Sequence, residues 1–305
     1  MAILVRPLHP HFASEVSGLN LCQPLARGDF AQISAVLARD AVVVLRGQNL
    51  TNDQQVAFSA RFGRLEAAVG SMRSGQARRL NDASVVDVSN LGANDRILDP
   101  TAAWRGMQTA NRLWHTDSSF KQTPGKYSFL NAHETPRIGG ETEFVDLRAA
   151  YDALSSTLKA RIATLSAEHS LMHSRRLVGF TDFSEEQRAA LPPVSRPLVR
   201  RHAESGRTTL YLASHVSHIE GWPDADSRAL LDELMAVATQ ASCVFQHSWR
   251  VGDLVVWDNS CTMHRGLAYD DVRERRDLRR TTTEDSSFAG EPPPPGSEGR
   301  HAQTS

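Results

Sequence analysis

Leu113-Trp114-His115-Thr116-Asp117-Ser118-Ser119-Phe120 reads as extended backbone carrying a His-x-Asp pair. Alternate side chains of a strand point the same way, so His115 and Asp117 share one face. That face offers one imidazole and one carboxylate to a single ion. Far downstream, after Val256-Trp257-Asp258-Asn259, stands Met263-His264-Arg265. His264, from a distant strand, completes a set of two imidazoles and one carboxylate.

A set of this kind leaves three coordination positions open and typifies non-haem Fe(II) oxygenases. His-x-Asp alone is a weak signal, so the surroundings carry the argument. Ala41-Val42-Val43-Val44-Leu45 reads as a buried strand from its β-branched run. Upstream lie short strands over residues 1–20 with a turn at Gly18. A helix is expected over 27–40, with Asp29 as candidate cap and Phe30, Ile33, Val36 and Leu37 at helical spacing. Thr51-Asn52-Asp53-Gln54 opens another helix through Phe58 and Phe62, stopped by Gly63. Residues 66–110 are rich in Gly, Ser, Ala, Asn, Asp and Arg, with one short strand candidate at Val85–Val88. A long irregular stretch directly before His115 is read as a lid over the site.

Beyond His115, strands are expected at 127–132, 198–200, 209–212, 243–247, 254–257 and 279–283, and Gly139–Phe144 reads as a Gly turn feeding another strand. Helices are expected from Asp146 or Leu147 through Leu154, from Ser156 to about Leu165, and over 226–238. Residues 173–195 read as a loop-rich insertion. Residues 289–305, with Pro292–Pro295, read as a disordered tail. Many short strands among helices suggest one mainly β domain with flanking helices over 1–288, a β-sandwich or jelly roll.

Composition narrows the function. The 305 residues are 40% hydrophobic and 23% charged, ordinary for a globular protein. A formal net charge of −1 offers no electrostatic footprint for nucleic acid. No apolar run approaches the roughly 20 residues that span a bilayer, and the N-terminus has too short an apolar core for a secretory signal. Cys22, Cys243 and Cys261 form neither a disulfide framework nor a zinc knuckle, so a cytoplasmic home is expected. Cys261, three residues before His264, reads either as a ligand or as a small buried residue.

The chain resembles the taurine dioxygenase and 2,4-dichlorophenoxyacetate dioxygenase family of Fe(II)/2-oxoglutarate-dependent enzymes, its phenoxyacetate branch above all. The carrying segments are Val42–Gln48, Phe58–Gly63, Leu113–Phe120, Gly139–Phe144, Val256–Asn259 and the Arg-rich end Arg275-Arg276-Asp277-Leu278-Arg279-Arg280-Thr281-Thr282. The resemblance implies a double-stranded β-helix, or jelly roll. It implies that His115, Asp117 and His264 hold iron, and that an intact Asp117 marks a hydroxylase rather than a halogenase. It implies 2-oxoglutarate and O2 as cosubstrates, with ascorbate as a stimulant. Arg276 would anchor 2-oxoglutarate, with Thr142 as hydroxyl partner and Trp257 packed nearby. Arg280 would face substrate, with Asn111 and Arg73 as further substrate contacts. Counted from His264 instead of from the strand, the two arginines become Arg275 and Arg279. His215 and His218 sit in a polar turn as open candidates for substrate contact.

The resemblance implies hydroxylation of a small anion, such as an aryloxyalkanoate, in aromatic compound catabolism. Hydroxylation beside an ether oxygen splits the product into a phenol and glyoxylate. A sulfonate or sulfate-ester dioxygenase, and a metal-binding jelly roll without turnover, stand as alternatives. Expected partners are a small anionic substrate and further copies of the chain, with no nucleic acid and no membrane.

Overall fold

In a computed structural model, residues 3–67, 79–101 and 103–287 are described. Arg73 and the tail 289–305 lie outside them, as does part of the expected lid. The first half runs β1 (Leu4–Pro7), β2 (Ser14–Ser17), α1 (Arg27–Asp40), β3 (Val42–Leu45), α2 (Asn52–Ser59), β4 (Val86–Ser89), α3 (Ala103–Thr109), β5 (Gly125–Glu134), β6 (Thr142–Asp146), α4 (Leu147–Ala153) and α5 (Ser156–Ile162). The second runs β7 (Ser166–His169), α6 (Leu171–Arg176), α7 (Glu185–Ala190), β8 (Val194–Pro197), β9 (Val199–Arg201), β10 (Thr208–Leu210), β11 (Val216–Ile219), α8 (Asp224–Ala238), β12 (Val244–His247), β13 (Leu254–Asp258), β14 (Thr262–Gly266) and β15 (Asp277–Glu284).

A seven-stranded sheet has the order β1-β2-β3-β13-β5-β15-β4, and a three-stranded sheet has β12-β6-β14. Pairings in both are antiparallel except β2 with β3. Between the sheets, Val42, Val44, Leu130, Val255, Trp257 and Leu278 meet Phe144 and Phe245. On the outer face of the large sheet, Val43, Leu45, Phe129, Leu254 and Val256 meet Ile33, Leu37 and Phe58 of α1 and α2. Both faces of β3 and β13 are therefore dry, which is why these strands read as unbroken apolar runs rather than alternating ones. Behind the small sheet, Val145 and Met263 join Leu158, Leu230 and Leu234 of the helices. This is the strand-rich jelly roll expected, with helices on its flanks.

Local chemistry sets several boundaries. The Thr51 hydroxyl accepts from the Gln54 amide and the Gln54 side chain answers, a reciprocal cap that starts α2. Asp146 ends β6 and caps α4, its side chain accepting from the Arg148 amide. Asp29, by contrast, is no cap: α1 begins at Arg27, and Asp29 lies in its first turn. The expected insertion 173–195 is largely built, as α6, α7 and the edge of β8, with a Ser184/Gln187 reciprocal cap on α7.

Candidate metal centre

His115 lies outside the regular strands, but it is bridged to β14. Its amide donates to the His264 carbonyl at 3.0 Å, and the His264 amide donates back at 2.9 Å. The alternation expected of the segment holds. Thr116 turns the other way, its hydroxyl 3.0 and 2.9 Å from the carbonyls of Leu212 and Thr262, while His115 and Asp117 face inward. Ser118 then takes φ 57°, a left-handed conformation uncommon for serine, and turns the chain away after the carboxylate. Its hydroxyl donates to Glu66 at 2.8 Å, and Lys121 pairs with the same Glu66.

One ligand atom from each of His115, Asp117 and His264 lies within 4.8 Å of the others, all three residues buried. Each Nε2 is 3.8 Å from a different Asp117 oxygen. His115 Nδ1 donates to the Leu113 carbonyl at 2.8 Å, which leaves Nε2 as the lone-pair nitrogen. Burial pushes His115 down from the usual imidazole range and His264 well below it. Neutral imidazoles are the form a metal needs. Burial alone would raise Asp117; Arg280, the imidazoles and the Ser128 hydroxyl outweigh it and hold the carboxyl at about 2. Arg280 contacts Asp117 Oδ1, and Ser128 donates to Oδ2 at 2.7 Å. Two neutral nitrogens and one ionised oxygen on one side of a point suit Fe(II) with positions to spare.

A pocket opens beside this group, lined by His115, His264, Thr142, Trp257, Arg276 and Arg280 among others, Asn111 included. Described parts of the expected lid, Val88 to Asn90 with Arg105, Gln108 and Thr109, line it as well. Arg276 and Arg280 share a parity along the final strand. Arg275 and Arg279 have the opposite one and are already paired, with Glu134 and Asp95, and with Asp277. Arg276 has no carboxylate partner among the described residues. Burial pushes it down to about 10, and its Nε finds no acceptor. Thr142 Oγ1 accepts from the Trp249 indole at 3.0 Å, so its own hydrogen is free to donate. The Trp257 ring sits 4.6 Å from the His264 ring, and its Nε1 donates to Asn259 at 2.9 Å.

Cys261 is not part of the triad. It lies with His202 and Asp258 in a second group of potential ligands. There the Lys126 ammonium sits 3.0 Å from Asp258 and 2.7 Å from Glu204, so a cation already neutralises that acid. Burial raises the Cys261 thiol well above its usual range. The sequence reading passed over Asn259, which accepts from the Asp117 amide at 3.2 Å and donates to Ser128 at 2.9 Å, and Arg175, which lies in α6. His215, left open, has its ring 6.1 Å from that of His115.

The family model described as "Taurine catabolism dioxygenase TauD, TfdA family" matches residues 4–282. The chain belongs to this family. It is 46% identical over 287 residues to an alpha-ketoglutarate-dependent 2,4-dichlorophenoxyacetate dioxygenase of Cupriavidus pinatubonensis, covering 94% of this chain and 99% of that protein. An (S)-phenoxypropionate/alpha-ketoglutarate-dioxygenase of Sphingobium herbicidovorans is 33% identical over 280 residues, covering 89% and 91%. Among solved structures, AAD-2 in complex with Mn(II) and N-oxalylglycine superposes with a TM-score of 0.90 at 41% identity, covering 94% of this chain and 99% of that one. Among the described residues no helix is long and apolar enough to cross a membrane.

Proposed function

We propose that this chain is an Fe(II)- and 2-oxoglutarate-dependent dioxygenase that hydroxylates an aryloxyalkanoate such as 2,4-dichlorophenoxyacetate. The observation that carries this is one pocket joining His115, His264 and an Arg276 with no carboxylate partner among the described residues, in a chain 46% identical to dioxygenases of that substrate. His115, Asp117 and His264 would hold the iron. The bound metal, with O2 and 2-oxoglutarate, supplies the oxidation: succinate and CO2 form as one oxygen atom enters a substrate C–H bond.

The chain's own residues bind and orient. Arg276 offers its planar fork to the distal carboxylate of 2-oxoglutarate, and Thr142 adds its free hydroxyl hydrogen. Trp257 and Leu130 wall that carboxylate from water, which strengthens each charge contact. Arg280 faces the substrate's anionic head, and Asn111 and Arg73 are further contacts in this reading. Hydroxylation of the carbon between ether oxygen and carboxylate gives a hemiacetal. It collapses to the phenol and glyoxylate, the hydroxyl proton passing to the departing phenolate. The described residues of 66–110 that line the pocket, Val88 to Asn90 with Arg105, Gln108 and Thr109, act as a lid in this reading. A cytoplasmic, multi-copy enzyme completes the reading: the three cysteines are unpaired, and light scattering tests the copy number.

The test is purified protein with Fe(II), ascorbate, 2-oxoglutarate and a panel of anions. Succinate and 2,4-dichlorophenol in equal amounts support the proposal. Sulfite from taurine or sulfate from an alkyl sulfate, without phenol, would move the substrate to the sulfonate or sulfate-ester class. No succinate with any anion would contradict it.

A further inference from the structure

Two buried arginines elsewhere in this fold are matched by acids. Arg148 lies 3.0 Å from Asp146, and Arg79 reaches Asp87 at 2.9 Å and Asp277 at 2.6 Å. Both are pushed above the usual guanidinium range by those partners, against burial. Arg175 is different. No acid pairs with it among the described residues, and its Nε is shut off from solvent with no acceptor. Burial pushes it down to about 10, and Arg280 adds to the effect. An unmatched cation held away from water is costly unless something supplies the missing negative charge.

Its position says what that something is. Ser170 caps α6, and the Ser174 hydroxyl links the Arg175 guanidinium at 3.3 Å to His215 Nδ1 at 2.8 Å. Asp117, Arg280 and His115 are close enough for their charges to act on or feel Arg175. The His215 ring stands 6.1 Å from the His115 ring, so the hydrogen-bonded chain from Arg175 leads to the triad. Around it the Phe120 ring meets His215 at 4.8 Å, and the Phe180 amide donates to the Arg175 carbonyl at 3.0 Å. The Phe120 ring against His215 gives this group an apolar neighbour that suits an anion with an aryl body. Arg280 has one nitrogen on Asp117, which leaves its Nε without an acceptor.

We propose that Arg175 and Arg280 form a two-guanidinium clamp for the anionic head of the substrate, Arg175 being the specificity-determining half. The clamp rests on the dioxygenase reading above. A carboxylate seated between the two arginines satisfies both buried Nε groups, while a neutral analogue leaves them unmet.

The experiment compares the unaltered full-length chain with Arg175→Gln and Arg175→Lys, on 2,4-dichlorophenoxyacetate and on its neutral amide. For Arg175→Gln the KM for the acid should rise roughly 10–100-fold, the scale of a lost bond to a charged group. The kcat and the 2-oxoglutarate KM should change little. The preference for acid over amide should collapse, and Arg175→Lys should restore part of it. Thermal stability should hold or rise, since an unmatched buried charge has gone. Equal losses for acid and amide, or an unchanged KM for the acid, would overturn the clamp. Failure of the dioxygenase reading is distinguishable: the unaltered chain would then form no succinate with the acid, and the clamp would fall with it.

Discussion

The Ser128 hydroxyl donates to Asp117 Oδ2 at 2.7 Å while accepting from the Asn259 side-chain amide at 2.9 Å. Asn259 in turn accepts from the Asp117 amide and from the Trp257 indole. The carboxylate is thus held by a chain of partners reaching into β5 and β13. Groups that orient a ligand tune metal affinity. Ser128→Ala should weaken Fe(II) or Co(II) affinity by about 10–100-fold with the far-UV circular dichroism unchanged. Metal titration yielding the parent affinity would show that Ser128 does not position the acid.

Arg276 and Arg280 are assigned different anions. Arg276→Gln should raise the 2-oxoglutarate KM by roughly 10-fold or more, the loss of a bidentate charged pair, with a much smaller change for the aryloxyacetate. Steady-state kinetics with each compound varied in turn checks this. A larger change in the aryloxyacetate KM would reverse the two roles.

Strand parity separates the two pairs of arginines in the sequence. Leu278 had to face the core, and residues 276 and 280 share its face while 275 and 279 do not. The triad was legible for the same reason, since 115 and 117 alternate around Thr116. The apolar runs at 42–45 and 254–257 announced strands covered on both sides. What stayed hidden depends on tertiary placement. Arg175 sits among Ser174, Arg175 and Arg176 in a stretch read as loop, and nothing local distinguishes a buried arginine from an exposed one. Strands β7, β8 and β11 are four residues each, and their polar residues mask the period. Asp29 resembles a cap because helix starts are acidic in either role.

Acid should loosen the edge where β4 meets β15. Burial would raise Asp277, but Arg79 and Arg279 overcome it and hold the carboxyl at about 2, below an unfolded value of roughly 3.9. Because the folded pKa is the lower one, the contribution is present above about pH 4 and lost as pH falls towards 2. It is worth on the order of 2 kcal/mol. Asp277→Asn should lower the melting temperature at pH 7 and flatten its fall between pH 4 and pH 2. Parallel melting curves for parent and variant across that window would refute the assignment.

The most direct test of the central claim is an anaerobic titration of the purified chain with Fe(II) and 2-oxoglutarate, followed by visible absorption. The account predicts a weak charge-transfer band that saturates at one iron per chain and is lost in Asp117→Ala, a variant that stays folded. No band in the parent chain, or one of equal strength and affinity in Asp117→Ala, would contradict the proposal that His115, Asp117 and His264 hold one ferrous ion.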